Sequence, residues 1–407
     1  MSTVYTETEL LQKEHACPPQ ASEKESCSSW EDTGVIGRRS SRVDGYERVS
    51  GSAIYPSDVV LPHMLYAAIL HCPHANATIR GIDTSRAEKM PGCKAVLSMK
   101  DREASIEWPY SDAYQGPLFS EHCRYEGEVV AAAAASSPDE ARDALHRIEV
   151  DYQVLPFVAD ERTALDDTAH PVHSQGNLVA PVQTYERGDV EQGFARAEVV
   201  VEESYRSKAL LHSPIELHGC VAQWDGDRLT VWESTQGVYA VQDRIAKVLD
   251  MPKSRVRVIG HYLGGGFGSK LETSKYSVIA ALLARKSGRP VKLFHTREQT
   301  LLAMGNRPAS DMQLKIGATR SGELTAIRFH GLGASGAYAA GGTSLLDWLA
   351  KDMYRCPNVW TELTDVYINA GPARPFRAPG YPQGSWAVEQ AMDALAERLD
   401  IDPIELR

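Results

Sequence analysis

The stretch RVRVIGHYLGGGFGSK, residues 255–270, decides how this chain is read. Its apolar residues alternate through Ile259, which predicts a strand. The strand runs into Gly264, Gly265 and Gly266, followed by Phe267 and Gly268. Without side chains, backbone approaches a ligand closely and successive N–H groups converge on an oxyanion or a metal-oxo group. A helix expected from Glu272 would add the positive end of its dipole. A tight strand-to-helix turn has the same local pattern. Two nucleotide motifs are excluded. The dinucleotide fingerprint needs a glycine where Ser269 stands, and the phosphate-binding loop needs Ser or Thr after its lysine, where Leu271 follows Lys270.

Working outward, CVAQW at 220–224, the turn Asp225-Gly226 and DRLTVWES at 227–234 predict a hairpin, and VYAVQDRIAKVLDM at 238–251 has helical spacing. This order places Gln236 at the head of one helix and Phe267 at the head of the next, so that two helix starts converge. A further hairpin is expected around Arg320-Ser321-Gly322, then an irregular Gly/Ala-rich segment, 331–342, suited to lining a cavity. Towards the N-terminus, Asp44-Gly45 signals a turn, and LYAAILHC (65–72) and KAVLSM (94–99) read as buried strands. Ser137-Pro138-Asp139-Glu140 caps a helix running to about Arg147, and the strand RIEVDYQVL follows. Residues 1–33 mix Glu, Lys, Ser and Pro and read as a mobile extension or an arm on a partner. In HSPIELHGC, read as a strand, His212, Glu216 and His218 share one face. They are assigned as hydrogen-bonded structural groups rather than metal ligands, as are His71 and His74.

Composition narrows the function classes. The 407 residues hold 43 basic and 54 acidic side chains, and a net charge of −11 disfavours nucleic acid or an anionic membrane as a bulk partner. The apolar runs fall well short of the ~20 residues that span a bilayer. The segment MSTVYTETELLQKEH lacks the basic-then-apolar order of an export signal, and cytoplasmic residence is expected. Cys17, Cys27, Cys72, Cys93, Cys123, Cys220 and Cys356 form no C-x-x-C pair, so neither a zinc knuckle nor an iron–sulfur site is expected here.

Several ordered motifs carry a family resemblance over roughly residues 35–407: IGRRSSRVDGYERVSGSAIYPSDV, HCPHANATIRGID, YEGEVVAAAAASSPDEARDALHRIEVDYQVLP, HSPIELHGCVAQW, STQG, GGGFGSK and FRAPGYPQG. Together the chain resembles the N-terminal half of the molybdenum-binding large subunit of the molybdenum hydroxylases, the xanthine dehydrogenase and aldehyde oxidoreductase family. The resemblance implies a mixed α/β, α+β fold, with an α/β hammerhead domain at 34–165 and the first molybdopterin-binding domain at 166–407. It implies that Gln236 approaches the molybdenum oxo ligand. It also implies that Gly265, Gly266, Phe267 and Gly268 face the metal through their backbone, and that Arg377 and Ala378 contact the pterin. It further implies no direct side-chain metal ligand, the metal being held by the pterin dithiolene.

The implied reaction is hydroxylation of an electron-poor carbon with water as oxygen source. The implied cofactor is molybdenum on molybdopterin, with or without a cytosine dinucleotide, and iron–sulfur clusters and FAD belong to partner subunits. In the family a second cofactor-binding region follows, with a Gly-Gln-Gly segment and the general-base glutamate. Neither occurs in these 407 residues. The expectation is therefore a split subunit, whose partner polypeptide carries the C-terminal half and the base, or a truncated product. Purine-oxidising members carry a glutamate after the loop lysine, an arginine before a Tyr-x-x-Pro-Asn segment, and an aromatic residue within the FRxxG motif. Here Leu271, Leu345 and Pro379 stand there. An apolar pocket leaves a purine's donors and acceptors unmatched, so an aldehyde or a weakly polar aromatic heterocycle is the expected substrate.

Overall fold

The computed structural model describes residues 39–111, 114–338 and 341–407. The expected extension at 1–33 lies outside them. The chain divides into two units, Met1–Ala53 and Ile54–Arg407. In the first, Asp44-Gly45 opens the short helix Gly45–Ser50 rather than a plain turn.

The second unit is built on a seven-stranded mixed sheet. From edge to edge its strands are Val256–Ile259, Arg228–Glu233, Gly219–Asp225, Val291–Phe294, Leu65–His71, Val129–Ala135 and Cys93–Ser98. Arg228–Glu233 pairs antiparallel with Gly219–Asp225 through the expected Asp225-Gly226 hairpin, and parallel with Val256–Ile259 on its other side. The sheet takes strands from both sides of residue 165, because Leu65–His71 runs parallel to Val291–Phe294.

Both faces of this sheet are covered. Val129–Ala135, VVAAAAA, is buried at every position. Ala132 and Ala134 enter one core with Ile279 and Leu283 of the helix Lys275–Ser287, and with Val241 and Ile245 of the helix Val238–Val248. Ala131 and Ala133 enter the opposite core, with Ile79 and Ala144. There the helix Pro138–Leu145 starts as expected, with the Ser137 hydroxyl accepting from the Glu140 N–H. Small side chains are needed where helices approach a strand from both sides, and the alanine run supplies them.

A five-stranded sheet orders Val199–Ser207, Ser310–Ala318, Leu324–Ala334, Val359–Val366 and Gln183–Arg187. The 19-residue helix Tyr381–Leu399 covers it, Val388, Met392 and Leu395 meeting Met312, Leu314 and Phe329. The segment expected to be irregular from 331 is corrected here. Residues 331–334 complete a strand paired on both sides, and only from Ser335 does the backbone leave the sheet. Gly331 and Gly333 occur in the strand because Leu346, Leu363 and Thr343 close over them.

Ala133→Leu adds volume to a strand position with 0% exposure, and is expected to cost about 1–3 kcal/mol in urea unfolding. An unchanged midpoint would contradict this account of the two cores.

Candidate functional site

The glycine loop does not pass directly into a helix. The helix starts at Lys275 with Ser274 as its N-cap, so Phe267 is not at a helix head and the expected dipole contribution from Glu272 onward is corrected. The reason is local. Gly265, Phe267 and Gly268 have φ of 98°, 55° and 111°, conformations a right-handed helix cannot pass through. The chain turns instead, with Ser269 N donating to Gly266 O at 3.0 Å and Leu271 N to Gly268 O at 3.3 Å.

Gln236 does sit at a helix start, immediately before Gly237, the N-cap of Val238–Val248. Its Oε1 accepts from Gly268 N at 2.8 Å and from Lys270 N at 3.4 Å. Because N–H donors fix the oxygen inward, the amide nitrogen is the end left for a ligand. Two loop N–H groups are thus spent on Gln236, fewer than expected remaining for an oxyanion. Among the described residues, the N–H groups of Gly265, Gly266 and Phe267 carry no hydrogen bond.

A second loop, residues 372–380, lies on the first. Arg377 N donates to Phe267 O at 2.8 Å, and a Cβ on Gly268 would meet Pro375 O at 2.0 Å. Glycine at 268 is therefore required twice, by its φ and by this approach. His212 Nε2 donates to Pro375 O at 2.7 Å, and the Arg307 guanidinium donates to Phe376 O and Arg377 O while lying over the Phe376 ring. A third segment joins at Gly380, where a Cβ would meet Ser344 O at 2.3 Å and the carbonyl of Leu345. The structure therefore gathers the sequence-predicted residues Gly265, Gly266, Phe267, Gly268, Leu271, Leu345, Arg377, Ala378 and Pro379 onto three abutting loops, with Gln236 joined to them from the helix start beside the glycine loop. Phe267, Leu345 and Ala378 all hold positive φ, at 55°, 59° and 61°. Such strain persists only where surroundings enforce it.

Underneath lies a buried ion pair that the sequence reading passed over. The Lys270 side chain is fully enclosed, and its Nζ donates to Glu216 O at 2.8 Å and lies 3.5 Å from Glu216 Oε2. The same Oε2 accepts from Gly264 N and Ser234 Oγ, both at 2.8 Å. Ser269 Oγ donates to Gly266 O and meets His218 Nε2 at 3.0 Å. The stretch 211–218 is irregular rather than a strand, with Ser213 at φ 45°, so the expected period-two face is corrected. His212, Glu216 and His218 reach the site through loop geometry and serve as braces. Of the others, His71 Nδ1 is bonded to Gly127 O and the His74 ring meets the Tyr152 edge. A lysine inside a glycine-rich turn, with a glutamate flanked by histidines upstream, was the available signal for the brace.

Desolvation sets the charge states. Burial holds Lys270 down to about 8, partly offset by Glu216, and holds His218 down to about 2, which keeps it neutral. Glu233, fully buried and accepting from Ser277 Oγ at 2.7 Å, is pushed up to about 7 by the same cause.

The outer side of the three loops is open. Phe267, Leu271 and Leu345 are 44%, 41% and 39% exposed, and Gln236, Arg377 and Ala378 are exposed with them. Glu272 turns aside to pair with Arg374 at 2.8 Å. An amide donor, free backbone N–H groups, an exposed guanidinium and a loop that tolerates no Cβ at 268 suit a polar, flat cofactor approached by backbone. The residues present therefore fit a molybdopterin along one wall.

Comparison with known proteins agrees with this geometry. Residues 170–407 match the molybdopterin cofactor-binding domain family, and residues 50–156 the aldehyde oxidase and xanthine dehydrogenase a/b hammerhead domain. The chain is 35% identical over 370 residues to a probable xanthine dehydrogenase subunit of Bacillus subtilis, covering 90% of this chain and 49% of that one. It is 33% identical over 380 residues to the nicotinate dehydrogenase large molybdopterin subunit of Eubacterium barkeri, covering 92% and 89%. A solved structure of CO dehydrogenase from Oligotropha carboxidovorans superposes with a TM-score of 0.84 at 27% identity, over 91% of this chain and 49% of that chain. The chain thus spans about half the length of the first and third, and most of the second.

Glu216→Ala would strand the Lys270 ammonium, and is expected to cost about 3–5 kcal/mol in denaturant unfolding; a loss below about 1 kcal/mol would show the pair to be incidental. For Glu233 the folded-state value lies above the ordinary 4.5, so its contribution to stability is present below pH 4.5 and is lost as pH rises through about 7. Glu233→Gln should flatten that slope by about 3–4 kcal/mol across the window, at roughly 1.4 kcal/mol per unit. Parallel stability curves for the two proteins would refute the assignment.

Proposed function

Because the chain belongs to the aldehyde oxidase and xanthine dehydrogenase family of molybdopterin-binding subunits, we propose that it forms one wall of the active site of a heteromeric molybdenum hydroxylase. On this reading residues 34–165 are the hammerhead domain and 166–407 the first cofactor-binding domain. A second polypeptide supplies the other wall and the general-base glutamate. Iron–sulfur and FAD subunits take the electrons. When bound, molybdenum on molybdopterin, with or without a cytosine dinucleotide, supplies the two-electron oxidation that hydroxylates a carbon using water.

This chain's residues position and enclose. The Gln236 amide nitrogen, its oxygen tied to Gly268 N, is a fixed donor towards the cofactor, and a preorganised donor costs no reorganisation during reaction. The free N–H groups of residues 265–267 add donors from backbone, and Arg377 and Ala378 face the pterin. Phe267 excludes water beside the reacting centre.

The observation carrying the substrate reading is that Leu271 and Leu345 lie exposed on this face while Glu272 is held away by Arg374. With Pro379 they make a wall without polar side chains, suited to an aldehyde or a weakly polar aromatic heterocycle. The likeness to a nicotinate dehydrogenase subunit favours the heterocycle arm.

Co-expression with the complementary polypeptide should give a molybdenum-containing complex, and the lone chain should show no turnover. Steady-state assays of that complex on xanthine, hypoxanthine, benzaldehyde and a pyridine test the substrate class. At about 1–3 kcal/mol for each unmatched polar group, kcat/KM for the two purines should be at least ~30-fold lower. Efficient xanthine oxidation would overturn the assignment of Leu271 and Leu345.

A further inference from the structure

We propose a second binding site, for a small aromatic carboxylate, in the cavity behind the glycine loop at the start of the helix Lys275–Ser287. The cavity holds about 290 Å³ and is lined by Thr273, Ser274 and Lys275 at the helix start; Gln236, Phe267 and Arg377 do not line it. The helix is 13 residues long and Ser274 makes no side-chain cap; Ser277 N bonds Ser274 O at 3.2 Å, which leaves the N–H groups of Lys275 and Tyr276 for another acceptor.

The polar lining points to a ligand independently of the helix. Thr273 and His295 are 4% and 2% exposed; the Thr273 hydroxyl is buried without a hydrogen-bond partner among the described residues, and His295 meets the Gln299 side chain, which leaves at least one of its buried ring nitrogens without one. Buried polar groups are almost always satisfied, and two orphans on one cavity wall are accounted for by an acceptor that occupies it. Burial holds His295 down to about 3 and so keeps it neutral, and its ring offers an N–H donor without adding charge.

Charge selects the ligand's valence. Lys275, Arg244 and Arg374 line the cavity against Glu272, which pairs with Arg374, while Glu128 stands behind Lys275 at 3.9 Å. Three cations against two carboxylates suit a monoanion better than a dianionic phosphate. The remaining walls are mostly apolar, with an aromatic cluster on one side. Tyr110 and Tyr338 stack at 3.9 Å and 25°, Trp108, Tyr125 and Tyr276 join them, and Val129 and Met304 add aliphatic surface. Flat apolar rings beside a helix start fit a carboxylate on an aromatic body, with its oxygens at the first-turn N–H groups and its ring on the tyrosines.

The test is calorimetric titration of the assembled complex with sodium benzoate and, separately, inorganic phosphate. It is repeated on Arg244→Gln and Thr273→Val, neither of which alters a residue of the cofactor-facing wall. Saturable benzoate binding is expected, weakened about tenfold by Arg244→Gln and measurably by Thr273→Val, with phosphate at least about tenfold weaker. Absence of saturable binding, benzoate binding indifferent to both substitutions, or phosphate binding as tightly as benzoate would each overturn the proposal.

Discussion

The buried contact between Lys270 and Glu216 is the constraint on which the rest of the site depends. Glycines alone leave a loop many conformations. Here one carboxylate oxygen accepts from Gly264 N and Ser234 Oγ, and the lysine at the far end of the turn reaches back to the same glutamate. Both ends of the turn are thereby tied to one residue. Taking two charges out of water is costly, and such a pair is weak evidence for stability by itself. Its effect in this fold is specificity of shape, because Gly264 N, Ser234 Oγ and Lys270 Nζ all converge on Glu216.

Once that path is fixed, the neighbours follow. Gly268 is brought within reach of Gln236 Oε1 and against Pro375 O, and Phe267 O accepts from Arg377 N. Arg307 and His212 hold the second loop by its carbonyls. Three residues in left-handed conformations sit at the corners of this assembly, so strain is concentrated on the face the cofactor would meet. The wall is preformed. A donor set built of backbone and one tethered amide reorganises little on binding, which suits a group whose charge changes during turnover.

Much of the fold was legible in sequence. The hairpin at Asp225-Gly226, the helices from Val238 and Pro138, and the strand before the glycine loop all follow from period and turn chemistry. What local pattern could not carry was tertiary. Period two assigned 212–218 to a strand, yet those residues are held by contacts with 264–270 and 375 that no local spacing encodes. The glycine-rich 331–334 read as irregular, but in a sheet closed over by Leu346 and Leu363 the absence of side chains is what allows the strand. The helix after the loop starts later than its spacing suggests, because glycines in positive φ signal a turn but not where that turn ends. The candidate site residues come from motif likeness, whereas the Lys270–Glu216 brace, whose sequence signal is a lysine in a glycine-rich turn, stands out through its burial.

The account's central claim is that this braced loop forms a molybdopterin-binding wall. Its most direct test is the molybdenum and pterin content of the proposed complex with a complementary polypeptide, compared with the same complex carrying Gly268→Ala. The native complex should hold stoichiometric molybdenum and pterin. The variant, whose added Cβ meets Pro375 O, should lose most of both while its far-ultraviolet circular dichroism is unchanged. A native complex without molybdenum, or a Gly268→Ala complex with full content, would contradict the account.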